Sequence, residues 1–111
     1  MGIQHWSDNI IIVDLPEEPE MAEELETLVE MISDQDHCSM VIDFSSVGIV
    51  TSSSLSKLLH LHKELVGCGR RLVFCGIPAA TRGVFTVTGL DQVFELADDK
   101  FAALATLEMI G

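Results

Sequence analysis

The chain has 111 residues, 48% of them hydrophobic, and a formal net charge of −12 from 18 acidic and 6 basic residues. That length fits one compact domain over residues 1–111 and is too short for two independent cores, while the charge opposes binding to nucleic acid or to an anionic membrane surface. A domain of this size buries roughly 65% of its unfolded surface, so it needs neither disulfides nor metals to be stable.

No segment approaches the ~20 apolar residues of a transmembrane helix; the run Ile10 to Val13 is broken by Asp14. The start has neither the basic region nor the apolar stretch of a signal peptide, and Trp6 stands where a myristoylation signal takes Ser or Thr. A cytoplasmic location without membrane insertion is expected. Cys38, Cys68 and Cys75 are an odd number without CxxC spacing, which suggests neither a disulfide framework nor a zinc ribbon. They are expected to serve as small apolar fillers.

In chain order, Ile3 to Trp6 and Ile10 to Leu15 flank the polar turn Ser7, Asp8 and Asn9, and predict a hairpin at a sheet edge. Pro16 and Pro19 end that strand. Glu17, Glu18 and Glu20 then sit where a helix N-terminus stabilises negative charge. Met21, Leu25, Leu28, Val29 and Ile32 recur at helical spacing, with Glu23, Glu24, Glu26 and Glu30 mostly on the solvated face. Ser39 to Phe44 (SMVIDF) has the length and β-branched content of a strand buried on both faces.

After the loop Ser45 to Val50, a second helix carries an apolar stripe of Leu55, Leu58, Leu59, His62, Leu65 and Val66 and is stopped by Gly67 and Gly69. Leu72 to Ile77 (LVFCGI) is the next buried strand, and Pro78 opens a short helix ending near Gly89. Val93 to Ala97 predicts a last strand, and Asp98 and Asp99 cap a final helix through Phe101, Leu104 and Ala105. The order ββαβαβαβα implies an α/β fold with a mostly parallel central sheet of about four to five strands and about four helices.

Motifs for catalysis are absent. There is no GxGxxG, no GxxxxGK[ST] and no GxSxG element, so no nucleotide loop or nucleophile elbow is present and no cofactor is expected. His60 and His62 are two apart on a helix and point in different directions, whereas a helical metal pair needs i, i+4 spacing. No metal site is expected, and His62 on the stripe predicts a partly buried, hydrogen-bonded histidine. One stretch stands out: Thr51, Ser52, Ser53 and Ser54, with Ser56 close behind, at the start of the second helix. One hydroxyl suffices for an N-cap worth roughly 1 kcal/mol. The excess lies where backbone N–H groups and the helix dipole favour an anion, which makes a phosphorylation switch the rival to simple capping.

The segment Val41 to Leu65, VIDFSSVGIVTSSSLSKLLHLHKEL, resembles the STAS family, the sulfate transporter and anti-sigma factor antagonist domain. GRRLVFCGI (Gly69 to Ile77) and VFTVTGL (Val84 to Leu90) extend the resemblance over most of the chain after Cys38, and Glu18 falls roughly where many members carry an Asp. Bacterial antagonists of the family often read DSSGLG where this chain reads TSSSLS, so that Ser52 matches the serine presented to a partner kinase. Thr51 replaces the usual Asp, and Ser54 and Ser56 replace two glycines. The resemblance implies a regulatory binding module rather than an enzyme, with Ser52 as the phosphorylated residue and a switch-type serine kinase or anti-sigma factor as partner. Thr51, Ser53, Ser54, Lys57 and Leu61 are its implied partner-binding residues, Ser54 and Leu61 because they flank the apolar stripe. The second reading is a non-switching STAS scaffold subunit of a signalling or transporter assembly.

Overall fold

The computed structural model describes residues 2–34, 39–48 and 50–108, and of 32–34 the backbone alone. Cys38 and the side chain of Ile32 lie outside the described residues. Two strands open the chain, β1 (Gly2–Ser7) and β2 (Ile10–Asp14), followed by α1 (Glu20–Asp34) and β3 (Ser39–Asp43). Then come α2 (Ser52–Gly67), β4 (Leu72–Cys75), α3 (Ala79–Thr88), a 3-10 turn at Leu90–Gln92, β5 (Glu95–Ala97) and α4 (Lys100–Glu108). The five strands form one sheet in the order β1-β2-β3-β4-β5, with β1 antiparallel to β2 and every other pair parallel. The expected α/β class, the order of elements and the parallel pairing of β3 with β4 all hold. No helix among the described residues is long and apolar enough to cross a membrane.

Period-two alternation sorts the strand residues between two cores. Ile11, Val13, Met40, Ile42, Leu72 and Phe74 face one side with Met21, Leu25 and Leu28 of α1, Leu58, Leu61 and Leu65 of α2, and Phe85 of α3. Ile10, Ile12, Val41, Val73 and Cys75 face the other side, where Ala103 and Leu104 of α4 cover them. Burial on both faces is why β2, β3 and β4 read as unbroken apolar runs. An aromatic cluster joins the crossovers: Phe74 lies 4.6 Å from Phe94 and 5.2 Å from Phe44, and His62 meets Phe94 edge-on at 5.4 Å.

Polar contacts fasten α4 over the second face. Lys100 Nζ reaches Asp14 Oδ1 at 3.0 Å and Asp43 Oδ2 at 3.6 Å, joining the ends of β2 and β3. Asp99 Oδ1 caps α4 by accepting from Ala102 N at 2.8 Å. At the far end Trp6 Nε1 donates to Glu108 at 2.9 Å, and Arg71 Nε donates to Glu95 at 2.9 Å. Cys75 is buried, and burial first, then the charge of Asp43, pushes its thiol up to about 12, so it stays protonated filler. Two expectations change. Cys68 is exposed in the C-cap of α2 rather than packed inside, and Phe101 is 79% exposed because α4 turns Ala103 and Leu104 inward instead.

Strand β4 stops at Cys75, short of the expected Ile77, because Gly76 takes a φ of 65°. A Cβ there would stand 2.5 Å from Asp43 Oδ1 and also collide with Ser45 Oγ. Gly76→Ala therefore combines a left-handed backbone with a steric clash, and is expected to cost about 2 kcal/mol or more in urea unfolding. A loss below about 0.5 kcal/mol would show that the β3–α2 loop yields freely.

Candidate functional site

The start of α2 is delivered by the loop after β3, and side chains hold that loop. Asp43 Oδ1 accepts from Ser45 N at 2.8 Å and from Ser45 Oγ at 2.5 Å, while Phe44 N and Val47 N enter backbone bonds to Cys75 O and Phe44 O, both at 2.9 Å. Thr51 is the N-cap, with φ −79° and ψ 161°, and its hydroxyl accepts from Ser54 N at 3.1 Å. The capping role read from the sequence thus falls on Thr51.

The remaining hydroxyls divide sharply. Ser54 is fully buried, and its Oγ donates to Glu18 Oε2 at 2.7 Å. Thr51 donates to the same oxygen through Oγ1 at 2.5 Å and through its backbone N at 3.2 Å. Ser53 is exposed and accepts from Lys57 Nζ at 3.3 Å, one helical turn on. Ser52 is exposed in the first turn, and its hydroxyl has no hydrogen-bond partner among the described residues. Of the expected site residues, Thr51, Ser52, Ser53 and the half-buried Lys57 come together at one helix start.

Leu61 does not. It is 0% exposed in the main core, as is Ser54, so the expected partner surface built on these two residues is corrected. The buried stripe of α2 is Ser54, Leu58, Leu61 and Leu65, at i, i+4, i+7 and i+11. That stripe is rotated by about 70° from the expected one at 3.6 residues per turn. Leu59 and Val66, 38% and 52% exposed, pulled the sequence reading towards the flank. Ser54 belongs to the stripe only because Glu18 satisfies its hydroxyl.

Glu18 is the site residue that sequence reasoning missed, having been assigned only to the acidic start of α1 and to a position where many STAS members carry an Asp. It anchors the turn before α1 to the start of α2. Its Oε1 is sealed from solvent without a hydrogen bond of good geometry, the amide of Ala22 being directed at Pro19 O at 3.2 Å. Burial pushes the Glu18 carboxyl up, but the hydroxyls of Thr51 and Ser54 and the Thr51 amide, with the Ala22 amide adding, outweigh it and hold the pKa below the ordinary glutamate range. A depressed folded-state pKa contributes stability above the unfolded value and loses it as pH falls through the folded one. The stability gap between the native chain and Glu18→Gln is therefore expected to be full near about pH 7 and to shrink below about pH 4.3. Urea unfolding across that range measures it, and a gap constant with pH would contradict the preference for the carboxylate.

Two shallow grooves flank the helix start. One, of about 430 Å³, runs between α1 and α2 and is lined by Glu26, Val29, Ser53, Ser56, Lys57 and His60. The other, of about 320 Å³, is lined by Glu17, Glu18, Gly48 and Thr51. Among the described residues no group of three or more His, Cys, Asp or Glu side chains is placed to hold a metal ion. The arrangement presents hydroxyls and a rim of mixed charge at the start of α2.

A comparison with curated proteins gives no match. Among solved structures, RsbS from Moorella thermoacetica superposes with a TM-score of 0.82 at 22% identity, over 98% of this chain and 95% of that one. A chain from the stressosome, described as a signal integration and transduction hub, gives a TM-score of 0.77 at 24% identity over 98% and 97% of the two chains. The anti-sigma factor antagonist SpoIIAA in its unphosphorylated form gives 0.75 at 15% identity, over 99% and 97%. At these identities the likeness is one of fold. The family model for the STAS domain matches residues 8–103, from the β1–β2 turn into α4, and the chain belongs to the STAS domain family.

Proposed function

We propose that the chain is a regulatory protein-binding module of the anti-sigma factor antagonist type rather than an enzyme. It binds a switch-type serine kinase or anti-sigma factor and is released when Ser52 is phosphorylated. The observation that carries this reading is the state of the hydroxyls at α2: Ser52 is exposed and unbonded among the described residues, while Thr51, Ser53 and Ser54 are engaged. Thr51, Ser53 and Lys57 border Ser52 and form the rim a partner would cover. A phosphate on Ser52 would add about −1.5 to −2 charge, which the free helix N-terminus tolerates and an interface would have to desolvate. A cytoplasmic, soluble regulator fits this role.

One observation favours the second reading, a non-switching scaffold subunit. Ser54, standing where switching antagonists of the family carry glycine, is buried and tied to Glu18, which stiffens the helix start. Purification of the chain with its partners from the native cell separates the two. Recovery of a small ATP-binding kinase that places phosphate on Ser52, located by peptide mass spectrometry, is expected. A kinase active on another substrate but leaving residues Thr51 to Ser54 unmodified would favour the scaffold.

A further inference from the structure

Thr51 and Ser52 are adjacent, both exposed, and both carry hydroxyls. A kinase docked on this helix start meets three exposed hydroxyls, those of Thr51, Ser52 and Ser53, and exposure alone does not choose between Thr51 and Ser52. What differs is Glu18. Its Oε2 accepts a hydrogen bond from the Thr51 hydroxyl at 2.5 Å, and Thr51 Oγ1 in turn accepts from Ser54 N at 3.1 Å. Ser54 Oγ is held by the same oxygen at 2.7 Å and is out of reach of any enzyme while buried. We infer that Glu18 is a positioning residue that withdraws Thr51 from competition with Ser52 for the phosphate. The inference rests on the phosphorylation reading above and deepens it.

The chemistry of transfer supplies the reason. In phosphorylation by a nucleoside triphosphate, the Oγ–P bond forms as the bond from the γ-phosphorus to the bridging oxygen of the nucleoside diphosphate breaks. The hydroxyl proton passes to a carboxylate base of the kinase. An acceptor oxygen must therefore release its proton to that base and aim a free lone pair at phosphorus. Thr51 Oγ1 has committed its proton to an ionised carboxylate and a lone pair to the helix cap, and charge-assisted bonds of this kind are roughly twice as strong as neutral ones. The product is disfavoured as well. A phosphate on Thr51 would bring its oxygens against Glu18 Oε2 with no proton left between the anions, whereas a phosphate on Ser52 replaces no such bond. Thr51 stands where the family's antagonists carry Asp, so it introduces a competing hydroxyl, and Glu18 removes it from competition.

The test uses the full chain, the kinase recovered with it from the native cell, and ATP. Phosphate is mapped by peptide mass spectrometry on the native chain, on Glu18→Ala, and on Glu18→Gln. The glutamine keeps the size of the side chain, and it serves if Glu18→Ala does not melt cooperatively. The native chain is expected to carry phosphate on Ser52, and the share on Thr51 is expected to rise at least about tenfold in the variant. Adding Thr51→Val to the variant is expected to return all phosphate to Ser52. Phosphate confined to Ser52 in native and variant chains alike would overturn the role of Glu18 while leaving the phosphorylation reading intact. No phosphate on any of the chains would overturn that reading, and this inference with it.

Discussion

Leu61→Asp is expected to leave no cooperatively folded protein at room temperature, and Leu61→Ala to lower the melting temperature by more than about 10 °C. Leu61 is fully buried between α2 and the sheet, among Leu58, Leu65 and the strand residues of the main core. Truncation of a buried leucine costs about 2–5 kcal/mol, from lost transfer energy plus the cavity left behind. For a domain of about 100 residues, each kcal/mol moves the melting temperature by roughly 4–8 °C. An aspartate at the same place adds an unpaired buried charge to that loss, and the total approaches the whole ~5–15 kcal/mol of a typical domain. Thermal unfolding followed by circular dichroism measures both variants. A Leu61→Ala chain melting within about 2 °C of the native one would put the residue back on the surface.

Ser52→Asp is expected to melt within about 2 °C of the native chain and yet to lose partner binding by two to three orders of magnitude. The two halves of that expectation have one cause. In the free domain a negative charge in the first turn of α2 meets the positive end of the helix dipole and open water, and a surface substitution of this kind stays within about 0.5 kcal/mol. Under a partner the same carboxylate must shed its water without a counter-charge provided for it. A penalty of about 3–4 kcal/mol, typical of an unpaired buried charge, becomes a factor of ten for each ~1.4 kcal/mol. Ser52→Ala removes a hydroxyl with no partner among the described residues, and is expected to bind within about threefold of the native chain. Titration calorimetry against the co-purified partner compares the three chains. Native affinity in Ser52→Asp would place Ser52 outside the interface and point to the scaffold reading.

These two residues lie nine positions apart on one helix, and the sequence treated them with unequal success. The existence and order of the elements follow from local chemistry: apolar runs of strand length, Pro16 and Pro19 before α1, and Thr51 at the head of α2. Each depends on near neighbours in the chain, and Thr51 proves to be the cap that its composition announces. The placement of Ser52 in an exposed first turn follows from the same local logic.

The rotation of α2 on the sheet is another matter. Apolarity alone makes Leu59 and Val66 look as inward as Leu58 and Leu65, and makes Ser54 look outward. Only the tertiary structure brings Glu18, 36 positions earlier, within 2.7 Å of Ser54 Oγ. With its hydroxyl satisfied, Ser54 can be buried, the buried face turns to Ser54, Leu58, Leu61 and Leu65, and Leu61 moves from the expected surface into the core. The sequence by itself determined the α/β order, the sheet strands and the hydroxyl-rich helix start, because those are written in spacing and composition over a few residues. The engagement of Thr51 and Ser54, and with it the place of Ser54 on the buried face beside Leu58, Leu61 and Leu65, was decided by one long-range carboxylate, since a polar side chain is buried only where a partner completes its hydrogen bonds.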